Sequence, residues 1–217
     1  MNELLFFSHI FALILATFVA LRLGPKALAI LSSVMILLAN LFITKQVRLF
    51  GLEVTATDAY TVGSLLCLNL YSELTSKKEA IKLSQINIFI LLFFTMAATF
   101  QIAYEPTPSD TAHLPFQQIL STTPRIFFSS ILTYIVSQRL DLFLFTNLRK
   151  KLPLTLSMIF SLLVSQAFDT IVFSYAALYN IVQSILSIIV FSYVIKVVAL
   201  LSLSLVTLIY RKGKNEI

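Results

Sequence analysis

Charge is what this chain has least of: Asp, Glu, Lys and Arg make up 12% of its 217 residues, where a soluble domain carries about 25%. So few polar groups cannot cover a water-facing surface, and the solvent around most of the chain must be lipid. There is one cysteine, Cys67, inside an apolar run. That excludes an intramolecular disulfide and a multi-cysteine metal site, and leaves the redox compartment unread. Tryptophan is absent, and the four glycines, Gly24, Gly51, Gly63 and Gly213, form no phosphate-binding pattern. The two histidines, His9 and His113, stand apart, and neither is read as a ligand. With no His-Glu-x-x-His and no Gly-x-Ser-x-Gly, the catalytic sets of a membrane protease or an acyltransferase are missing. The sequence therefore predicts no enzyme, no cofactor and no metal site.

What is present is apolar. Hydrophobic residues make up 58% of the chain and mean hydropathy is +0.91. Seven stretches, roughly 4–21, 27–44, 57–74, 85–103, 124–146, 155–178 and 184–210, are long enough to cross a bilayer as helices. The third is the weakest, with Asn69 and Glu73 near its end, and the last is the longest. The first is read as a span and not a signal peptide, because its first charge is Glu3 and no small-x-small cleavage site follows. One long connection, 104–123, carries Glu105, Pro106, Pro108 and Asp110 and reads as an extramembrane loop. No soluble domain and no repeat is visible.

Net charge is +6, but the basic residues sit between apolar runs, which is a topology signal and not a nucleic-acid patch. With seven spans, one side receives Arg22, Lys26, Lys77, Lys78, Lys82, Arg149, Lys150, Lys151, Arg211, Lys212 and Lys214. The other receives Lys45 and Arg48. The positive-inside rule then places the N-terminus outside and the C-terminus in the cytoplasm.

Function is sought in the polar residues within spans, since a charge near mid-bilayer costs about 2.5–3.5 kcal/mol on insertion scales and marks a bundle interior or a wet cavity. Asn69 and Glu73 lie four apart on one helix face, Gln138 and Asp141 three apart, and Gln166 and Asp169 three apart beside Ser165. Three helices thus repeat an amide followed by a carboxylate one turn later. Arg125 opens the fifth span, and Lys196 sits mid-way along the last with Tyr193 one turn before it. Amides and carboxylates together offer many acceptors and a few donors, the complement of a heteroaromatic base with amino, ring N–H and carbonyl groups. A sugar would also use such groups. Each residue has a plainer use. Asp141 and Glu73 sit near span ends and suit hydrated boundaries, and Asn69 suits an interhelical hydrogen bond. Asp169 and Lys196 suit one buried ion pair locking two helices, which is compatible with a substrate site.

Several of these segments resemble one family, the queuosine precursor transporters, also called the vitamin uptake transporter family. Ala39-Asn40-Leu41 through Lys45, ending near Phe50-Gly51, is similar to the family's first core helix. Leu68-Asn69-Leu70-Tyr71-Ser72-Glu73-Leu74 resembles its Thr-Asp-x-x-x-Glu-x-Tyr-Gly stretch. Arg125 through Asp141, with Ser129, Ser130 and Gln138, resembles its Arg-Ile…Ser…Gln-x-x-Asp helix, and Asn147-Leu148-Arg149-Lys150 the basic loop after it. Ser165-Gln166-Ala167-Phe168-Asp169-Thr170-Ile171-Val172-Phe173 resembles its Ser-Gln-x-x-Asp-Thr-x-x-Phe signature, the most specific match. Tyr193-Val194-Ile195-Lys196 resembles the Tyr-x-x-Lys of its last helix. Asn69 stands where the family often has Asp, Ser76 where it often has Gly, and Ser204 where relatives often carry Pro.

The resemblance implies an all-α integral membrane protein of the inner (cytoplasmic) membrane: a six-helix core over 27–210, reminiscent of the substrate-binding subunits of energy-coupling-factor transporters. Residues 1–26 would be an added first helix and 211–217 a basic cytoplasmic tail. The implied cargo is a 7-deazaguanine used in tRNA modification: 7-cyano-7-deazaguanine, its aminomethyl relative, or queuine. Asn69, Glu73, Arg125, Gln138, Asp141, Ser165, Gln166, Asp169, Tyr193 and Lys196 are the candidate substrate-binding residues, Phe173 and Tyr193 being candidates to cover the ring faces. Protons are a candidate coupling ion, through Asp169 or Glu73. Two other readings stay open: a binding subunit that needs an energising partner, and a non-transporting scaffold whose polar residues are interhelical locks.

Overall fold

The structure is a computed structural model that describes residues 1–198. The end of the last apolar stretch and the basic tail 211–217 lie outside the described residues.

Helix α1 (Asn2–Leu23) is apolar on all sides, with Phe7, Phe11 and Phe18 pointing outward, as a lipid-facing helix requires. It stops at Gly24, whose φ of 102° is open to glycine and whose N–H donates to the Ala20 and Leu21 carbonyls. Pro25, with its preset φ and no N–H to satisfy, starts α2 (Pro25–Phe42) at once, so the first two helices form a tight hairpin.

The next connection is not the plain short loop its length suggests. β1 (Gln46–Leu49) and β2 (Leu52–Thr55) pair antiparallel in the register Gln46↔Thr55, Val47↔Val54, Arg48↔Glu53, Leu49↔Leu52. The turn between them is Phe50-Gly51, with φ of 51° and 80°, the sign pair of a two-residue hairpin turn that follows the strand twist. The hairpin is inserted into the bundle: Leu49 and Val54 are fully buried against Phe6, Ala59 and Phe191. Glu3 Oε1 accepts from the Phe50 N–H at 3.1 Å, Asn2 Nδ2 donates to the Arg48 carbonyl at 3.0 Å, and the Gln183 N–H donates to Gln46 Oε1 at 3.0 Å. A sheet edge at such a site is tolerable because protein and not lipid surrounds it.

Helix α3 (Asp58–Leu74) packs on α2 at close range through Gly63 beside Met35, and through Ser32 and Ser64, whose hydroxyls lie 3.0 Å apart. Helix α4 (Lys77–Ala103) begins earlier than the apolar stretch 85–103 because Ser76 caps it, accepting from the Glu79 N–H at 3.2 Å. Lys77, Lys78 and Lys82 therefore belong to the helix and not to a loop. A short helix α5 (His113–Leu120) lies within the long connection, followed by α6 (Thr123–Leu148) and α7 (Leu154–Leu178). A last helix, α8, is described over Ile185–Val198. Buried polar groups are mostly Ser and Thr, for example Ser33 donating to Asn87 Oδ1 at 2.7 Å. Small hydroxyl residues let membrane helices approach and bond across.

The chain is thus an all-α membrane protein apart from one hairpin. Among the described residues, five helical segments are long and apolar enough to cross a bilayer: Asn2–Leu23, Pro25–Phe42, Lys78–Ala103, one within His113–Leu148, and Ile159–Leu178. Helix α3, at 17 residues, and the described part of α8 are shorter.

Candidate functional site

A cavity of about 180 Å³ lies where α2, the end of β2, α3, α6, α7 and α8 converge. Neither α1 nor α4 contributes a lining residue. Its apolar end is the cluster of Ile43, Leu178, Ile188 and Phe173, the first three buried and Phe173 packed against them. Its polar wall carries Asp58, Asp169 and Lys196, with Asn40, Ser130, Thr133, Thr170 and Ser192 around them. Tyr134 and Phe173 supply aromatic surface.

Lys196 Nζ stands 2.7 Å from Asp169 Oδ2, with the two side chains 13% and 23% exposed. The same ammonium donates to Thr170 Oγ1 at 3.1 Å, and that hydroxyl donates on to the Gln166 carbonyl at 2.8 Å. Because Asp169 and Thr170 are consecutive on α7, one lysine from α8 ties both. Asp58, at the first turn of α3, is buried, and its Oδ2 accepts from Ser192 of α8 at 2.7 Å. Thr55 and Thr57, also lining the cavity, hydrogen-bond to each other at 3.2 Å. The hairpin thus delivers its last residues to the site, and Asp58 follows directly.

Of the ten residues singled out in the sequence, Asp169 and Lys196 line this cavity and meet as the expected ion pair. Ser165 and Asp141 meet each other instead, at 3.3 Å between α7 and α6, away from its lining. Arg125 is exposed and donates through Nε to the Ala176 carbonyl at 2.9 Å, tying the start of α6 to the end of α7. The Tyr193 hydroxyl donates to the Leu163 carbonyl at 3.3 Å. Asn69 is on the exposed face of α3, and Gln166 takes part through its backbone carbonyl. Glu73 and Gln138 have backbone placed in α3 and α6 while their side chains are outside the description.

Sequence reasoning missed Asp58. It looks like the charged boundary of the weakest apolar stretch, and at the start of a helix an Asp is ordinary. The available signal was Thr55-x-Thr57-Asp58 followed by an apolar run without a break. Asn40 was visible only as part of a resemblance, yet its Oδ1 accepts from Ser130 at 3.4 Å on the cavity wall.

In a membrane protein, ionisable groups gathered on the wall of one cavity, as Asp58, Asp169 and Lys196 are, mark a candidate substrate or ion path. The comparisons with known proteins agree. Residues 59–210 match the family described as "Putative vitamin uptake transporter". A protein of Bacillus subtilis (strain 168) named "Probable queuosine precursor transporter" is 31% identical over 147 residues, 66% of this chain and 64% of that protein. The match thus spans less than two thirds of that relative. No solved structure gives a significant match. The chain belongs to the queuosine precursor transporter family, also called the vitamin uptake transporters.

Proposed function

We propose that this chain imports a 7-deazaguanine (7-cyano-7-deazaguanine, 7-aminomethyl-7-deazaguanine or queuine) across the cytoplasmic membrane for use in tRNA modification, and that the cavity around Asp58, Asp169 and Lys196 is where the base is held. The observation that carries this is the joint presence of two carboxylates, one ammonium and several hydroxyls on the wall of one cavity, in a chain whose relative is named for a queuosine precursor. A guanine-like edge presents adjacent N–H donors, which a carboxylate accepts well, and a carbonyl, which an ammonium or hydroxyl donates to. Asp169 and Thr170 form one side of that recognition and Lys196 the other, with Phe173 and Tyr134 available to cover the ring faces. Cargo competes with Asp169 for Lys196, which Asp169 holds at 2.7 Å.

The same proposal takes seven spans, α3 and α8 included, with the N-terminus and the β-hairpin outside and the C-terminus in the cytoplasm. The asymmetry of basic residues supports it. Residues 1–26 are read as an addition to a core over 27–210, supported by the absence of α1 from the cavity lining. Asn69, Glu73, Arg125, Gln138, Asp141, Ser165, Gln166 and Tyr193 remain candidates for the path through the core rather than for this cavity; Asp141 with Ser165 marks a second polar step between α6 and α7.

Uptake of labelled base by the purified full chain in liposomes tests both cargo and mechanism. Saturable uptake by the chain alone, lost in Asp169→Asn, is expected. Binding without uptake would instead fit a subunit that needs an energising partner. Neither binding nor uptake of any of the three bases would overturn the assignment and favour a scaffold.

A further inference from the structure

The charges in the cavity do not balance. Among the described residues, its lining holds two carboxylates, Asp58 and Asp169, and one cationic group, Lys196. Tyr134, the remaining titratable side chain on the lining, is neutral as a phenol. Lys196 is already committed, 2.7 Å from Asp169 and 3.1 Å from Thr170. Asp58 has one hydrogen bond, from the Ser192 hydroxyl to Oδ2. No cationic group lies within 4 Å of its carboxylate among the described residues, and Lys196 acts on it only through space while holding Asp169. Lys45 and His9 line a separate cavity between α1, α2 and the hairpin, which shares only Thr57 with this one. A buried carboxylate satisfied by a single hydroxyl is costly, and the cost falls when a cation arrives with its own hydrogen-bond donors.

We propose that Asp58, the second carboxylate beside a single lysine, makes this cavity selective for a base that carries its own ammonium: the aminomethyl base or queuine, both amines and cationic near neutral pH, over the neutral cyano base. This rests on the cargo reading above and deepens it. Asp58 takes the amine arm at Oδ1 while Ser192 keeps Oδ2 in place, and Asp169, Thr170 and Lys196 address the ring edge. The roles follow from position: Asp58 comes from α3, whereas the Asp169–Lys196 pair comes from α7 and α8.

The test is equilibrium binding of 7-aminomethyl-7-deazaguanine and 7-cyano-7-deazaguanine to the purified full chain at neutral pH, with proton uptake from a weak buffer recorded alongside. The expected result is at least tenfold tighter binding of the aminomethyl base. Asp58→Asn should bring the ratio toward one by weakening only that base, and Asp58→Glu should keep the preference. Thermal unfolding of each variant, measured in parallel, separates lost selectivity from lost folding. Equal or tighter binding of the cyano base would overturn the proposal, with one proton taken up showing that a proton balances Asp58 instead. Equal weakening of both bases in a folded Asp58→Asn would also overturn it. If the parent chain binds neither of these bases nor queuine, the cargo reading itself falls; if it binds both without preference, only the charge selection does.

Discussion

Lys196 of α8 and Asp169 of α7 meet at 2.7 Å on the wall of a cavity that also holds Asp58 of α3. Three helices therefore depend on one lysine: it neutralises one carboxylate directly and reduces the repulsion between two. Such a pair locks α7 to α8, and under the proposed function its groups are the ones that cargo takes over.

Removing Lys196 alone should be worse for folding than removing the pair. Lys196→Met leaves two carboxylates without a cation, and breaking a buried pair from one side costs about 3–5 kcal/mol. The expected outcome is a clear fall in the unfolding temperature of the purified protein, with much of it regained in Asp169→Asn plus Lys196→Met. Uptake should be lost in both. A double variant as unstable as Lys196→Met would show that the lysine acts through something other than Asp169.

The hairpin should matter to the site although its turn lies away from it. Gly51 has φ of 80°, a conformation that costs a β-branched residue about 1–2 kcal/mol. Gly51→Val should loosen the register that brings Thr55 and Thr57 to the cavity. Hydrogen exchange at residues 52–57 should speed up, with little change over α6 and α7, and uptake should fall. Unchanged exchange would separate the hairpin from the cavity.

The α2–α3 contact should tolerate one added methyl group and not a large side chain. A Cβ on Gly63 would sit 2.7 Å from Met35 Sδ and 3.3 Å from Cε, the far end of a flexible side chain that can turn away. Gly63→Ala should therefore change stability by less than about 1 kcal/mol, since helix propensity gains offset the rearrangement. Gly63→Leu should cost about 1–3 kcal/mol by overpacking. It should also reduce uptake by shifting the α2 residues Ile36, Ala39 and Asn40 that line the cavity. Thermal unfolding and uptake of Gly63→Leu with Met35→Ala should show partial recovery. No recovery would place the strain elsewhere.

Much of the architecture was legible because lipid imposes a simple rule: long apolar runs must be helices. The apolar runs near 4–21, 27–44, 57–74, 124–146 and 155–178 correspond to helices within a few residues at most ends. The start of α4 was not, because its boundary is set by the Ser76 cap and not by apolarity. The β-hairpin was hidden for a different reason. Its strands are four residues each, and its turn uses Phe50, a residue that carries no turn signal. Within the site, Asp169 and Lys196 stood out because a charge in mid-span is too costly to persist without a partner or a wet cavity. Asp58 did not, because at a helix start an acidic residue is ordinary until tertiary packing buries it. The amide–carboxylate spacing shared by three helices concerns one helix at a time, and spacing along one helix does not say which faces meet. The fold brings together Ser165 with Asp141, and Asp169 with Lys196.

The most direct test of the import assignment is rescue in living cells. Cells lacking both deazaguanine synthesis and transport would express this chain or its Asp169→Asn variant at matched membrane levels, receive nanomolar 7-deazaguanine base, and be scored for queuosine in tRNA. Import through the cavity predicts queuosine with the parent chain and none, or a large reduction, with Asp169→Asn. No queuosine with any of the three bases despite good expression, or full rescue by Asp169→Asn, would contradict it.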